Sequence, residues 1–258
     1  MTADVSFIHI SDTHIGSSED FSLFGRNTFQ CASRLIDLIK KQNIPLDFVV
    51  HTGDLINKPD QASAQLAKSL FSGIPCPLYT VNGNHDSAEF TSLLQTGTCR
   101  KYGPMKFFEK DNYVFLFIDA KGAPEIDPHG LFTESHADFL NKFLNEHSES
   151  SVLIFIHFPA LQLDCPWLDK DMLLINGDSF HKLLVGSPAK ISGVFFGHIH
   201  KRVCIFRDNI LYSSAPSPFC TFGILPSDSE VRFEPDISIS CNCVTLQNGS
   251  VIIKEITE

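Results

Sequence analysis

The chain has 258 residues, 43% of them hydrophobic and 19% charged, with a formal net charge of −10. A chain of this length buries a core without needing disulfides or metals merely to fold, and no apolar run approaches the roughly 18 residues of a membrane helix. An acidic balance without a basic cluster excludes a general nucleic-acid-binding surface, although an anionic substrate stays open because bound cations can dominate a local field.

The pattern then alternates strand and helix. Val5–Ser11 reads as a short strand ending in polar residues, and Phe29, Ala32, Leu35, Ile36 and Ile39 carry the spacing of an amphipathic helix that stops near Pro45. Asp47–Thr52 is a second strand, Asp60–Phe71 a helix, Pro77–Val81 a third strand, and another helix starts at about Ser87. Tyr113–Ala120 is a continuous apolar run of the kind buried strands show. Thr133–Glu146 is a helix whose start, Thr133-x-x-His136, resembles a capping box with histidine in place of glutamate. Ser151–Ile156 and Gly193–Phe196 are further buried strands, separated by a helix around Ser179–Val185.

From about residue 201 to 258 the character becomes β-rich. Val203–Arg207, Ile210–Ser214, Cys243–Gln247 and Ser250–Glu255 look like hairpin material, with Asn248-Gly249 a two-residue turn signal. Pro216–Pro235, rich in Pro, Ser and Phe, reads as an ordered excursion or a loop. With no repeat, low-complexity tract or linker, the expectation is one α/β domain over 1–258 that finishes in antiparallel strands. Eight cysteines without a CxxC pair predict reduced, mostly buried thiols, with Cys241 and Cys243 on one strand face. Met1-Thr-Ala-Asp-Val-Ser has an acid where a signal peptide would be basic, so the expectation is no targeting segment and a cytoplasmic protein.

Polar clusters sit at the C-terminal ends of these strands: Asp12-Thr-His14, Gly53-Asp54, Gly83-Asn84-His85-Asp86 and Gly197-His198-Ile-His200, with His157 capping a fifth strand. In open α/β sheets such loops converge on one crevice. Imidazole combined with carboxylate and amide oxygen suits Mn, Fe or Zn. Asp12 and His14 lie two apart, as do His198 and His200, so each pair faces one way in an extended segment. The glycines allow tight turns where each ligand is released. Taken alone, each cluster also fits a solvated loop pair or a turn; together they offer seven ligands, enough for two ions. His9 and His51 fall inside strands and read as core or edge histidines. His129, His136, His147 and His181 lack partners at ligand spacing.

In this order the motifs, which span residues 12–200, resemble those of the calcineurin-like metallophosphoesterase superfamily. Within it the chain looks most like the class III cyclic-nucleotide phosphodiesterases, on Ser11-Asp-Thr-His14, Cys165-Pro-Trp-Leu-Asp169 followed by Leu174-x-Asn176, Gly197-His-Ile-His200 and Pro216-Ser-Pro-Phe-Cys-Thr-Phe222. The resemblance implies a two-sheet αββα sandwich. It places Asp12, His14, Asp54 and His200 around one metal and Asp54, Asn84, His157 and His198 around the other, with Asp54 bridging. It makes His85 the catalytic group that protonates the leaving oxygen or steadies the phosphate, and puts His14, Asp54, Asn84, His85 and His200 on the phosphate side. The implied reaction is hydrolysis of 3′,5′-cyclic AMP to 5′-AMP by in-line attack of a hydroxide bridging two ions. Asp86 either orients His85 or serves a helix N-terminus. Cys165–Asn176 is expected in the pocket wall, with Trp167 stacking on a base or anchoring a loop and Asn176 contacting substrate or making a turn. One departure stands out: His157-Phe158-Pro159 replaces the frequent His-His-Pro, which bears on substrate preference or on a contact behind the ligand. The expected partner is a small cyclic nucleotide, with no nucleic acid, no membrane and a homodimer of the chain. The alternatives are another phosphodiester, a pyrophosphate or a phosphomonoester as substrate, or a non-catalytic interaction module on the same fold.

Overall fold

A computed structural model describes residues 5–42, 44–234 and 237–258. In chain order, the strands of its two large sheets are β1 (Val5–Ile10), β2 (Phe48–His51), β3 (Leu78–Thr80), β4 (Arg100–Tyr102), β5 (Met105–Lys110), β6 (Tyr113–Ile118), β7 (Ser151–Ile156), β8 (Lys190–Phe196), β9 (Cys204–Arg207), β10 (Ile210–Ser214), β11 (Ser240–Gln247) and β12 (Ser250–Thr257). The α-helices are α1 (Thr28–Lys41), α2 (Gln61–Phe71), α3 (Ala88–Leu94), α4 (Glu134–Glu146), α5 (Pro166–Asp171) and α6 (Gly177–Val185). One sheet has the order β12-β11-β1-β2-β3 and the other β9-β10-β8-β7-β6-β5-β4. β1, β2 and β3 run parallel, as do β6, β7, β8 and β10, while antiparallel strands finish the sheets at β12-β11, β9 and β5-β4. This is the α/β two-sheet sandwich expected from the sequence.

The sandwich is held by strand alternation. Phe7, Phe48, Phe115, Phe155 and Phe195 project from the two sheets into one buried layer. Phe7 stacks on Phe48 at 4.9 Å and meets Phe155 and Phe195 edge-on at 5.8 and 5.6 Å, contacts that contribute roughly 0.5–1.5 kcal/mol each beyond area burial. The alternate positions, such as Ile8, Ile10, Leu116 and Ile154, join a second buried cluster with the apolar stripes of α1 and α4. Phe143 of α4 packs on Phe107 of β5 at 4.9 Å. Cys241 and Cys243 belong to this second cluster and Val244 and Leu246 to the first, the alternation expected of β11. All eight cysteines are free and most are buried. Among the described residues no helix is long and apolar enough to cross a membrane.

Local signals set the helix starts. The side chains of Asn27, Asp60 and Ser87 accept from the backbone N–H three residues on. At α4 the box closes with histidine: the His136 N–H donates to Thr133 Oγ1 at 3.1 Å and the Thr133 N–H donates to His136 Nδ1 at 3.1 Å. A neutral imidazole nitrogen accepts here as a glutamate oxygen would.

Elsewhere the structure departs from the sequence reading. The β4–β5 hairpin escapes notice because its strands mix lysine, arginine and glutamate with apolar residues. β8 begins at Lys190 rather than Gly193, since Ser192 and Gly193 interrupt the apolar run beside a register shift against β7. The stretch 165–176 contains α5, started by Pro166 at a first-turn position where its missing N–H costs nothing. Within 216–234 Thr221–Phe222 pairs with Phe233–Glu234; Pro235, the end of the expected excursion, lies outside the described residues, as do Met1 to Asp4.

Candidate metal centre

The loops that leave β1, β2, β3, β7 and β8 meet at one end of the sandwich. They are laced by backbone bonds that continue the strand pairing: the N–H groups of Asp12, His14 and Ile15 donate to the carbonyls of Gly53, Asp54 and Leu55, each at 3.0 Å, and the Gly197 N–H donates to His157 at 3.0 Å. The lacing forces unusual backbone. Asp12, His14, Asp54, His198 and His200 have φ values of 55°, 44°, 55°, 70° and 55°, a left-handed conformation that costs non-glycine residues about 1–3 kcal/mol each and gathers at functional sites. Two glycines make room. A Cβ on Gly83 would collide with the carboxylate and backbone nitrogen of Asp54, and Gly53, at φ 103°, would drive one into the His157 ring.

The result is a buried cluster centred on Asp54. Its Oδ2 lies 3.4 Å from His14 Nε2 and 3.4 Å from His157 Nε2. Asp12, His14 and His200 offer ligand atoms within 4.8 Å of one another, and Asp54, His157 and His198 form a second such group. His157 Nε2 faces His198 Nδ1 at 3.1 Å. His157 Nδ1 donates to the Thr52 carbonyl at 2.6 Å, so Nε2 is the nitrogen turned into the cluster and the one that would ligate once its proton is displaced. Buried Nε2 atoms of His14 and His198, and Oδ1 of Asn84, have no hydrogen-bond partner. Unpaired acceptors and imidazole nitrogens gathered around carboxylates are costly without a cation and natural with one. The donor set therefore fits metal: nitrogen and oxygen atoms, hard to borderline.

Electrostatics agrees. Burial holds His14 down to about 3 and His198 and His200 well below the usual histidine range, which leaves neutral imidazoles ready to ligate. Burial pushes Asp12 up to about 8. For Asp54 burial also pushes upward, but the positive charge of His157 leads the effects that outweigh it and hold the carboxyl well below its usual range. Burial would lower His157, yet Asp54 and Asp12 carry it up to about 9. The metal-free cluster thus keeps protons between its carboxylates and His157 that a cation would displace.

His85 stands at the mouth, half-buried. Its backbone N–H donates to Asp54 Oδ1 at 2.9 Å and its Nδ1 donates to the Asn57 carbonyl at 2.8 Å, so Nε2 is the position that exchanges a proton. Asp86 neither orients His85 nor serves α3. Its carboxylate accepts from Leu55 N–H at 3.0 Å, Ile56 N–H at 3.2 Å and Gly83 N–H at 3.0 Å, bracing the loop that carries Asp54. His51 and His9 lie behind the loops, fully buried. Thr13 Oγ1 donates to the Leu55 carbonyl at 3.0 Å, so His51 Nε2 donates to Thr13 Oγ1 at 2.9 Å; His9 Nε2 pairs with Thr52 Oγ1 at 2.9 Å.

The cluster opens into a recess of about 200 Å³ whose remaining walls are Leu23, Phe24, Pro128, Met172, Phe222 and Phe233 with Asn57. Of the residues expected here from sequence, Asp12, His14, Asp54, Asn84, His85, His157, His198 and His200 come together. Trp167 and Asn176 do not reach the cluster. Trp167 is buried, donates its indole N–H to the Gly223 carbonyl at 3.0 Å and packs edge-on behind Phe222 at 5.4 Å. Asn176 opens α6 at φ 66°, donates to the Phe132 carbonyl at 3.1 Å and lines a separate cavity with Gln162 and Arg207. Phe158, in place of the frequent second histidine, is fully buried with its ring 5.0 Å from that of His198. Asn57, Phe24 and Met172 escape a sequence reading because they stand in turns and loops with no spacing relation to the ligands, and Phe233 because its two-residue strand is too short for a periodic signal.

Comparison with known proteins accords with this geometry. A family model described as calcineurin-like phosphoesterase matches residues 5–202. The 3′,5′-cyclic adenosine monophosphate phosphodiesterase CpdA of Escherichia coli K12 is 27% identical over 206 residues, 78% of this chain and 71% of that protein. A probable cyclic nucleotide phosphodiesterase of a Pseudoalteromonas species is 30% identical over 200 residues, 77% and 72% of the two chains. A probable glycerophosphodiester phosphodiesterase, GpdQ, of Arcobacter nitrofigilis is 25% identical over 239 residues, 88% and 83%. Among solved structures, GAP50, the anchor in the inner membrane complex of Plasmodium, shares the fold, with a TM-score of 0.63 at 15% identity over 98% of this chain and 84% of that one. The chain belongs to the calcineurin-like phosphoesterase family, which uses a dinuclear metal centre.

Proposed function

We propose that this phosphoric diester hydrolase acts on 3′,5′-cyclic nucleotides, cyclic AMP first among them, and that one domain over residues 1–258 performs the reaction. The observation that carries the reading is the place of Asp54 between two histidine-bearing groups, with His85 Nε2 free at the mouth. Asp12, His14, Asp54 and His200 would hold one ion and Asp54, Asn84, His157 and His198 the other, drawn from Fe, Mn or Zn. Such a pair polarises phosphoryl oxygens and supplies a nucleophile from water at neutral pH.

The chain's own groups do the rest. Asn84, half-buried, would give its unpaired Oδ1 to the ion, which leaves its Nδ2 amide as the donor to the phosphate edge. His85, fixed through Asn57 and Asp54, points Nε2 toward the leaving side. As a water oxygen bonds to phosphorus and releases a proton to solvent, the P–O3′ bond would break and the 3′ oxygen would take the Nε2 proton of His85 in its doubly protonated form; solvent returns a proton to Nε2, and the product is 5′-AMP. The cyclic-nucleotide names among the relatives support the substrate class, and the glycerophosphodiester relative marks its competitor.

Purified protein with added Mn²⁺ should convert cyclic AMP to 5′-AMP, and Asn84→Ala and His198→Ala should abolish the conversion. Metal-dependent cleavage of an aryl or glycerol phosphodiester without turnover of cyclic AMP would keep the site and sink the substrate. Inactivity on every phosphoester in folded, metal-loaded protein would leave an interaction module.

A further inference from the structure

The lip of the recess carries a costly feature with no role in holding metal. Ser22–Leu23 pairs with Arg26–Asn27, so Phe24 and Gly25 are the two central residues of a tight hairpin. Their φ values are 50° and 78°. A turn with positive φ at both positions is the usual place of Asn-Gly or Gly-Gly, because a bulky side chain in the left-handed region is strained. Phenylalanine occupies it here, and its ring is 40% exposed rather than drawn into the core.

A second aromatic from a distant segment meets it. Phe233, itself 37% exposed, stacks on Phe24 with ring centroids 3.7 Å apart and planes 21° from parallel. Phe233 is also edge-on to Phe222 at 5.3 Å, and Phe222 stacks on the imidazole of His200 at 4.3 Å. Flat apolar faces therefore run from the metal-ligand cluster to the solvent edge of the recess. Turn chemistry does not explain Phe24 at that position, and its packing on Phe233 and parallel approach to buried Phe219 at 6.4 Å cover only part of the ring; a flat apolar ligand beside the phosphate would account for the part left exposed.

We infer that Phe24 and Phe233 form a stacking face for the planar ring of the substrate, a nucleobase, and that this face sets the preference for nucleoside over alkyl phosphodiesters. The assignment deepens the phosphodiesterase reading and rests on it. Base–aromatic stacking tolerates base identity because every base has a π-face, so the face selects for a ring and leaves the choice between purines open.

The test compares wild type with Phe24→Gly, a substitution that also relieves the turn. Cyclic AMP and glycerophosphoethanolamine, an alkyl diester without a ring, serve as substrates with Mn²⁺. The ratio of their kcat/KM values should fall roughly tenfold in the variant, mainly through KM for cyclic AMP, the scale of one lost stacking contact, while the thermal midpoint holds or rises. An unchanged ratio overturns the inference, whether both activities persist or fall together. A change confined to oligomeric state overturns it in favour of a second copy docking on the rim. Calorimetry of 5′-AMP against Mn²⁺-loaded protein separates the two readings. If wild type cleaves neither diester but binds 5′-AMP more tightly than Phe24→Gly, the hydrolase reading falls and the stacking face stands. No difference in that binding removes the face.

Discussion

The backbone N–H of His198 donates to both carboxylate oxygens of Asp12, at 3.1 and 3.0 Å, and so ties the loop after β1 to the loop after β8. Asp12 thus has two tasks, as an expected ligand and as the acceptor for a fully buried donor. Substitution separates them. Asp12→Asn keeps one oxygen for the His198 N–H while giving up the second oxygen and the ionisable group, whereas Asp12→Ala leaves that N–H unpaired. Both variants should lose metal. In metal-free protein Asp12→Ala should be less stable than Asp12→Asn by about 1–3 kcal/mol, the cost of a buried unsatisfied group. Equal denaturation midpoints would remove the structural task.

His85 is held at Nδ1 by the Asn57 carbonyl and at its backbone by Asp54 Oδ1, which orients Nε2 away from both. A group placed for proton transfer and absent from the proposed ligand set should affect rate and not metal content. His85→Gln should lower kcat by about 10²- to 10⁴-fold while bound metal, measured by elemental analysis, stays at the wild-type level. Loss of metal in step with activity would place His85 among the ligands, beside His14 and Asp54, whose ligand atoms lie within 4.8 Å of its own.

The sequence made the ligand loops legible because each ligand follows a buried strand, and because parallel strands deliver their C-terminal loops to one edge. Asp12, Asp54 and His198 could be placed by that argument before any coordinates. The recess walls could not. Phe24 and Met172 owe their position to turn and loop geometry and Phe233 to a two-residue strand pair, and none of these has a periodic signature. Trp167 shows the opposite case: its chemistry suggested a base-stacking ring, but Pro166 starts a short helix that turns the indole inward to Gly223. The hairpin β4–β5 was hidden for a third reason, since this end of the sheet is open to solvent and takes charge without penalty, with Arg100 and Lys101 on the edge strand β4 and Lys106 and Glu109 on its neighbour β5.

Asp86 should matter as much as a ligand without being one. Its carboxylate collects the N–H groups of Leu55, Ile56 and Gly83, which flank Asp54 and Asn84. Asp86→Ala would leave three buried donors unpaired, so a loss of at least about 2 kcal/mol is expected. Asp86→Asn should recover only part, because its amide places a donor where an acceptor is needed. Metal affinity should fall in both. Full stability in Asp86→Ala, measured by chemical denaturation, would show that water replaces the carboxylate at no cost.

Stability of the metal-free protein should also depend on His9, a group outside the ligand set. Burial drives its pKa from 6.5 to about 3, and its ring lies edge-on to Phe195 at 5.4 Å. The folded state keeps His9 neutral while the unfolded chain takes up a proton below 6.5, so the unfolded state binds more protons in that window. The sign follows: the contribution of neutral His9 is fully present above pH 6.5 and is lost as the pH falls toward 3. One proton of difference corresponds to about 1.4 kcal/mol per pH unit. His9→Gln cannot titrate, so the slope of unfolding free energy against pH should be shallower in the variant by about that amount between those limits, whatever its offset. Parallel curves for variant and wild type would mean that His9 reaches solvent or a proton acceptor in the folded protein.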